Sequence, residues 1–218
     1  IPPEMGNLAG LTALDLSANQ LGGELPPQIG NLTALTSLDL SLNRFSGPVP
    51  PELRNLTALA SPYVNLGFNM LWAEDTATGA FLSVLDPDWA VSQTVPPTDV
   101  AAAPGVGLAN LSWNRIAYKE DGGWYEVGVA VTAGGPYTVC AVSADKYATG
   151  ATVTGLTPGE TYYFVVRTVT PAHGAQQNDL TSPWSAPEAP CTLPPPLVAL
   201  TSVSILGPGT GVVRTAYT

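Results

Sequence analysis

Apolar residues recur through the first third of the chain with a period of 24: Ile1, Leu25 and Val49 fall in step, as do Met5, Ile29 and Leu53, then Leu8, Leu32 and Leu56, then Leu11, Leu35 and Leu59. Inside each period runs a tighter alternation, Leu14 with Leu16 and Leu38 with Leu40. This predicts a short strand whose leucines point one way while Asp15 and Asp39 between them point the other. One such strand cannot bury its own apolar side, so successive turns are expected to stack into a parallel sheet with a closed inner face. A Pro-Pro pair opens each turn and holds the outer side extended. Asn19 and Asn43 fall where the strand bends away, and a side-chain amide carries both the donors and the acceptor that unpaired backbone groups at such a bend require.

The third turn departs from the period. Asn69 follows Asn43 by 26 residues, with Ser61 and Pro62 inserted ahead of Val64-Asn65-Leu66, and the array ends there. Asp75 or Thr76 then serves as the N-cap of a short helix in which Phe81, Val84 and Leu85 share a face and Asp86-Pro87 is the stop. This segment, 73–94, is expected to cover the open end of the core with Trp72 and Trp89. Residue 1 falls in the middle of a repeat, so further repeats or a partner are expected upstream, and the chain is expected to be an excerpt of a longer surface protein.

The motif L-x-x-L-x-L-x-x-N-x-L, followed by G-x-x-P and G-N-L, resembles the leucine-rich repeat, in the 24-residue class common in plant receptors and also seen in bacterial surface proteins. The resemblance implies a short solenoid over 1–72, with Asn19, Asn43 and Asn69 as structural rungs. It also implies a concave face built from Ala13, Asp15, Ser17 and Ala18, then Ser37, Asp39, Ser41 and Leu42, then Asn65, Gly67 and Phe68. The family uses that face for protein, peptide or glycan ligands, although three repeats also suffice as a plain spacer.

After Val95-Pro96-Pro97-Thr98 the pattern changes to about ten residues per strand. Strands are expected over 98–103, 107–114, 123–132, 136–142, 150–155, 160–170 and 183–192. Leu156-Thr157-Pro158-Gly159-Glu160-Thr161-Tyr162 resembles the corner segment of fibronectin type III domains, and Trp113 and Ser182-Pro183-Trp184-Ser185 fit the same family. The fold class is therefore mainly β: a repeat solenoid with a helical cap, then a seven-stranded sandwich over 95–193. The resemblance implies that the Tyr162 hydroxyl ties the corner to the backbone upstream and that Trp113 lies in the core. It also places Cys140 and Cys191 at opposite edges of one sheet, ~14 Å apart at ~4.8 Å per strand. A disulfide needs Cα atoms within roughly 7 Å, so two free thiols are expected. No Arg-Gly-Asp tripeptide is present to support integrin-type recognition. Residues 194–218 read as a Pro-rich linker followed by strand-like Val198 to Ile205 and Gly211-Val212-Val213, similar to the opening strands of an immunoglobulin-like module, and such an orphan strand could add to another molecule's sheet edge.

Composition narrows the function. With 22 Gly and 22 Pro among 218 residues, long helices are excluded, and 17 acids against 7 bases leave no cationic stripe for nucleic acid. No apolar run reaches the ~18–20 residues of a membrane span, and no leader pattern opens the chain. Only 11% of residues are charged and two are cysteines, which favours an extracellular or cell-surface setting. His173 is the sole histidine and both cysteines fall in strands, so neither a zinc set nor a Cys/His nucleophile pair is available, and no catalytic residue, metal or cofactor is expected. Ala103-Pro104-Gly105-Val106-Gly107 lacks the Lys of a phosphate loop, and the acid pairs Asp86/Asp88 and Glu120/Asp121 read as solvated turns. Asn31, Asn55 and Asn110 match the glycosylation sequon, the first two as part of the repeat motif and the third within a core strand. The expected function is a non-catalytic extracellular binding or adhesion module for a protein or glycan ligand. Two alternatives stand beside it: a filament or surface-layer subunit that self-associates head to tail through the uncovered repeat end and the C-terminal strand, and accessory modules of a polysaccharide-active enzyme.

Overall fold

The computed structural model of the chain describes residues 1–196, so the strand-like segments expected within 198–213 lie outside the described residues. Each repeat contributes two strands: β1 (Ala13–Asp15) and β2 (Gly22–Gly23), β3 (Ser37–Asp39) and β4 (Arg44–Pro48), β5 (Val64–Asn65) and β6 (Met70–Trp72). β1, β3 and β5 pair in parallel with Leu14, Leu38 and Val64 in register, and β2, β4 and β6 form a second parallel sheet. Between the sheets lies an apolar core, with Leu32, Leu35, Leu38, Leu40, Phe45 and Leu56 fully buried. Prolines start one-turn 3-10 helices at Pro3–Asn7, Pro27–Asn31 and Pro51–Asn55, where a missing N–H costs nothing. These turns touch backbone to backbone. A Cβ on Gly6 would stand 2.5 Å from the Gln28 carbonyl oxygen, and one on Gly30 would meet the Glu52 carbonyl more closely still, whereas the third turn carries Arg54 at this position.

The bends are held by an amide ladder. Asn43 Nδ2 donates to the carbonyls of Leu16, Leu40 and Ser41 at 2.8–3.2 Å while its Oδ1 accepts from Leu21 N, and Asn69 repeats the pattern one turn on with Leu40, Leu66, Gly67 and Phe45 N. Gln93 is a further rung: its Oε1 accepts from Leu71 N and its Nε2 donates to Leu66 O. The cap also replaces the backbone of an absent next strand with side chains. Leu16 N and Leu40 N donate to the carbonyls of Asp39 and Asn65, whereas Leu66 N donates to Asp86 Oδ2. Ala18 N and Leu42 N donate to the carbonyls of Ser41 and Gly67, whereas Phe68 N faces Ser92 Oγ at 3.4 Å. A parallel edge that would otherwise be open is thereby closed.

The cap helix α1 spans Thr76–Leu85, with Asp75 accepting from Thr78 N at 2.8 Å. Its buried face carries Thr78, Leu82 and Leu85 with Phe81 half-buried. Val84, expected on that face, is 73% exposed, because the contact stripe follows 78, 81, 82 and 85 around the helix and leaves 84 outside it.

The second half is a two-sheet sandwich of β7 (Thr98–Gly105), β8 (Leu108–Asn114), β9 (Trp124–Ala130), β10 (Thr138–Val142), β11 (Gly150–Thr154), β12 (Thr161–Thr170), β13 (Leu180–Thr181) and β14 (Ala189–Thr192). One sheet runs β11-β8-β7; the other runs β10-β9-β12, with β13 and β14 both pairing β12. Tyr125, Val127, Phe164 and Val166 fill the centre, Trp113 packs edge-on against Tyr125 at 5.4 Å, and Tyr162 Oη accepts from Thr157 N at 3.0 Å. Of the strand expected over 183–192 only β14 forms, with β13 lying ahead of that range, because Pro183 and Pro187 have no N–H to give the ladder. Ser182 and Ser185 bridge the gap, each pairing its backbone N–H and its hydroxyl with β12, at Thr168 and Val166. Cys140 and Cys191 are free, on strands separated by β9 and β12. The Cys140 residue is exposed, yet its sulfur tucks over Val127 O at 3.5 Å, and burial raises that thiol's pKa.

The two cores are joined by the loop between β12 and β13. Ala18, Leu42 and Phe68 adopt left-handed backbone (φ 52°, 58° and 56°), which turns carbonyls of the bend outward. The loop collects them: Asn178 Nδ2 donates to Asn19 O and Leu42 O at 2.7 and 3.2 Å, and Gln176 Nε2 donates to Phe68 O at 2.7 Å. Arg44 Nε returns a bond to Asn178 Oδ1 at 3.2 Å, and the linker is tied by Thr168 Oγ1 to Val95 O and by Thr94 Oγ1 to Thr170 Oγ1. Gln176 and Asn178 are both 1% exposed, so their loss strands buried acceptors.

Two outcomes are expected in urea unfolding followed by tryptophan emission and near-ultraviolet circular dichroism. The double variant Gln176→Ala/Asn178→Ala loses about 3–5 kcal/mol and its repeat and sandwich transitions separate, whereas the parent unfolds in one step. Asn43→Ala costs about 3 kcal/mol, but Asn19→Ala, on the exposed first rung, costs under about 1 kcal/mol.

Candidate functional site

The open face of the sheet β1-β3-β5 is a grid of three columns. Ala13, Ser37 and Tyr63 form the first, Asp15, Asp39 and Asn65 the second, and Ser17, Ser41 and Gly67 the third. The second column builds the bend as well as facing solvent. Asp15 Oδ1 accepts from Ser17 N and Oγ at 2.9 and 2.7 Å, Asp39 Oδ1 from Ser41 N and Oγ at 2.9 and 2.6 Å, and Asn65 Oδ1 from Gly67 N at 3.0 Å. The Ser17 hydroxyl and amide hold the Asp15 carboxyl below its ordinary pKa. One oxygen of each acid is thus committed to the turn, so the acids present a fixed negative stripe rather than free ligating groups. Gly67 sits close under the cap: a Cβ there would lie 3.0 Å from Ser92 Oγ.

Of the residues expected on this face, Ala13, Asp15, Ser17, Ser37, Asp39 and Asn65 line it, and Ser41 is buried against Asp39. Ala18, Leu42 and Phe68 do not project from strands: they occupy the left-handed turns, and the carbonyls of Leu42 and Phe68 are taken by the joining loop. The Phe68 ring packs against the sandwich core, with Tyr118 at 5.8 Å edge-on and His173 at 5.9 Å. Tyr63 is the member of the grid that sequence reasoning missed. It is 63% exposed and stands opposite Ser37, its carbonyl accepting from Leu38 N and Ser37 Oγ. Counting back from Val64 rather than forward from Asn43 finds it, because the insertion Ser61-Pro62 shifts the register. Where the grid meets the cap a cleft of ≈ 470 Å³ opens, lined by Pro62, Asn65, Phe68, Asp86, Asp88 and Val91 among others. Burial raises the pKa of Asp86 there, against the Leu66 and Asp88 amides and with the charges of Asp88 and Asp39.

Behind Phe68 lies a polar network. Tyr118 Oη donates to Asp121 Oδ2 at 2.7 Å and meets His173 Nε2 at 3.0 Å. On its other side the ring lies with Nδ1 3.3 Å from Ala175 N and 3.7 Å from Asp121 Oδ2. Burial and the bond to Asp121 raise the Tyr118 pKa well above its ordinary value. Lys146, 1% exposed, passes 4.0 Å above the Tyr118 ring and donates to Glu120 O at 2.8 Å. Burial lowers its pKa to about 8 against the opposing charges of Asp121 and Glu120. These groups brace the joint. No group of three or more His, Cys, Asp or Glu with metal-binding geometry occurs among the described residues, and none of their helices is long and apolar enough to cross a membrane.

Residues 10–32 and 34–56 match the Leucine Rich Repeat family model. No curated protein matches the chain. Among solved structures it is similar to an Fn3-like protein from Clostridium thermocellum, at 31% identity over 46% of this chain and 94% of that one with a TM-score of 0.37. It is also similar to a β-1,2-glucanase from Parabacteroides distasonis (20% identity, 49% of this chain and 13% of that one, TM-score 0.39) and to PEPR1-AtPEP1 (38% identity, 34% and 10%, TM-score 0.29). The Leucine Rich Repeat model thus covers two of the repeats, and the second half of the chain is a two-sheet β-sandwich.

The buried lysine makes stability depend on pH with a definite sign. Its folded pKa lies below the unfolded value of about 10.4, so the unfolded chain binds more protons between these limits and stability rises with pH. The difference in unfolding free energy between the parent and Lys146→Met is expected to grow by about 1 kcal/mol from pH 7.5 to 9. Equilibrium denaturation of both proteins across this window checks it. The raised pKa values of Cys140 and Cys191 act in the opposite direction within this window and that of Tyr118 above it, and all three cancel in the difference between the two proteins.

Proposed function

We propose that the chain is a non-catalytic interaction module that works outside the cell, presenting the grid of β1, β3 and β5 to a protein or peptide ligand. One observation carries this: Ala13, Asp15, Tyr63 and Asn65 are exposed together on a face whose bends are tied by the amide ladder and the cap, so the surface is rigid and bears side chains that the fold does not use for its core. An aromatic ring on a face that also carries two fixed carboxylates, Asp15 and Asp39, offers apolar contact and charge selection at once. Leucine-rich repeats are protein-interaction surfaces, which supports a polypeptide before a glycan. The sandwich acts here as the clamp that fixes the bends from one side. The extracellular setting rests on the low content of charged residues and on the Thr, Ser, Gly and Pro-rich composition.

The reading is tested by masking. Clones enriched on the parent protein from a displayed random-peptide library are expected to lose at least about tenfold in affinity, some 1.4 kcal/mol, for Ser37→Trp, which fills the grid. They are expected to bind Thr33→Trp, on the turn side, as they bind the parent, and to weaken several-fold on Tyr63→Ala. Equal binding to Ser37→Trp and Thr33→Trp overturns the proposal.

A further inference from the structure

A second concavity lies away from the grid, where the two cores meet. It encloses ≈ 460 Å³ and is walled by Trp72, Val95, Pro96, Pro97, Pro183 and Trp184. The remaining polar side chains lining it are Glu74 and Thr98, and Glu74 is its one charged group. Every wall is anchored. Trp72 ends β6 and its carbonyl accepts from Val49 N at 2.8 Å. The linker is fixed through Val95 O, which accepts from Thr168 Oγ1 at 2.7 Å. Trp184 is braced from outside the cleft: the Arg167 guanidinium sits 4.3 Å from its ring centre, itself paired with Glu126 at 2.6 Å, and Tyr137 packs edge-on at 6.1 Å. The Trp184 ring and the backbone that carries Trp72 and the prolines are therefore set before anything enters, which is the condition for a preformed site at a domain boundary.

The lining selects the occupant. Two indoles and three prolines reward flat apolar rings, while two polar side chains are too few to satisfy the hydroxyls of a sugar chain. An extended proline-rich strand has the complementary chemistry: it presents pyrrolidine rings on one side, is already ordered before binding, and leaves carbonyls unpaired for indole N–H donors. Glu74 favours a basic residue at one end of it, and no cation lines the cleft to compete. We propose that the cleft between Trp72 and Trp184 binds a proline-rich segment of a partner protein in the polyproline II conformation, with a Lys or Arg of that segment against Glu74. The proposal is independent of the ligand surface on the repeats.

The test uses the full chain labelled with nitrogen-15, in which each of five tryptophans gives a separate indole N–H signal. Two probes are titrated, the peptide acetyl-Arg-(Pro)8-amide and cellohexaose. The peptide is expected to shift two indole signals, those lost in Trp72→Phe and Trp184→Phe, with a dissociation constant on the order of 0.1–1 mM for so short a ligand. Trp72→Phe is expected to weaken it at least about fivefold and Glu74→Gln about threefold, the latter a surface change that leaves packing untouched. The absence of any shift with the peptide, equal binding by Trp72→Phe and the parent, or shifts produced by cellohexaose alone each overturn the proposal.

Discussion

Every turn of the repeat exposes backbone groups at the point where the strand bends away, and those groups must be paired before the leucines can be buried behind them. Asn43 and Asn69 do this by spanning three carbonyls and one amide each. The remaining architecture follows from extending the same solution past the last repeat. Gln93 supplies a rung with one more methylene, Asp86 accepts in place of a carbonyl, and Ser92 places its hydroxyl where another carbonyl would stand. Helix α1 and the turn after it are thus a repeat written in side chains, and that is why the sheet ends without an open edge.

The same unpaired groups explain the joint. Left-handed residues at 18, 42 and 68 aim carbonyls out of the array, and the loop after β12 meets them with Gln176 and Asn178, one side-chain amide laid across neighbouring bends. Phe68 adds an apolar contact on Tyr118, and Lys146 and His173 stiffen the ground beneath it. Two halves with separate cores therefore share polar groups that neither satisfies alone, which ties their relative placement to the energetics of both.

Function is left to surfaces that this scheme does not consume. The grid around Tyr63 is exposed because alternation sends every second strand residue away from the core, and the cleft at Trp72 and Trp184 exists because two anchored walls meet at a proline-rich linker that cannot fold inward. One is an acidic, largely polar face and the other an apolar slot, so the two suit partners of different chemistry.

The period of 24, the paired leucines, the Asn positions and the helix start at Asp75 were legible in the sequence, because each arises from contacts a few residues long or from one repeat matching the next. So were Trp113 and Tyr162, whose surroundings are set by neighbouring strands. The assignment of Ala18, Leu42 and Phe68 to the open face failed, and the roles of Gln93, Gln176 and Asn178 were invisible, since each depends on a carbonyl brought close by a segment 27 to 159 residues away. The outward turn of Val84 and the gap before β14 were likewise decided by packing and by proline's missing donor. Hydrophobic periodicity fixes what must be buried, but which polar atom ends beside which buried acceptor is settled only when the chain closes on itself.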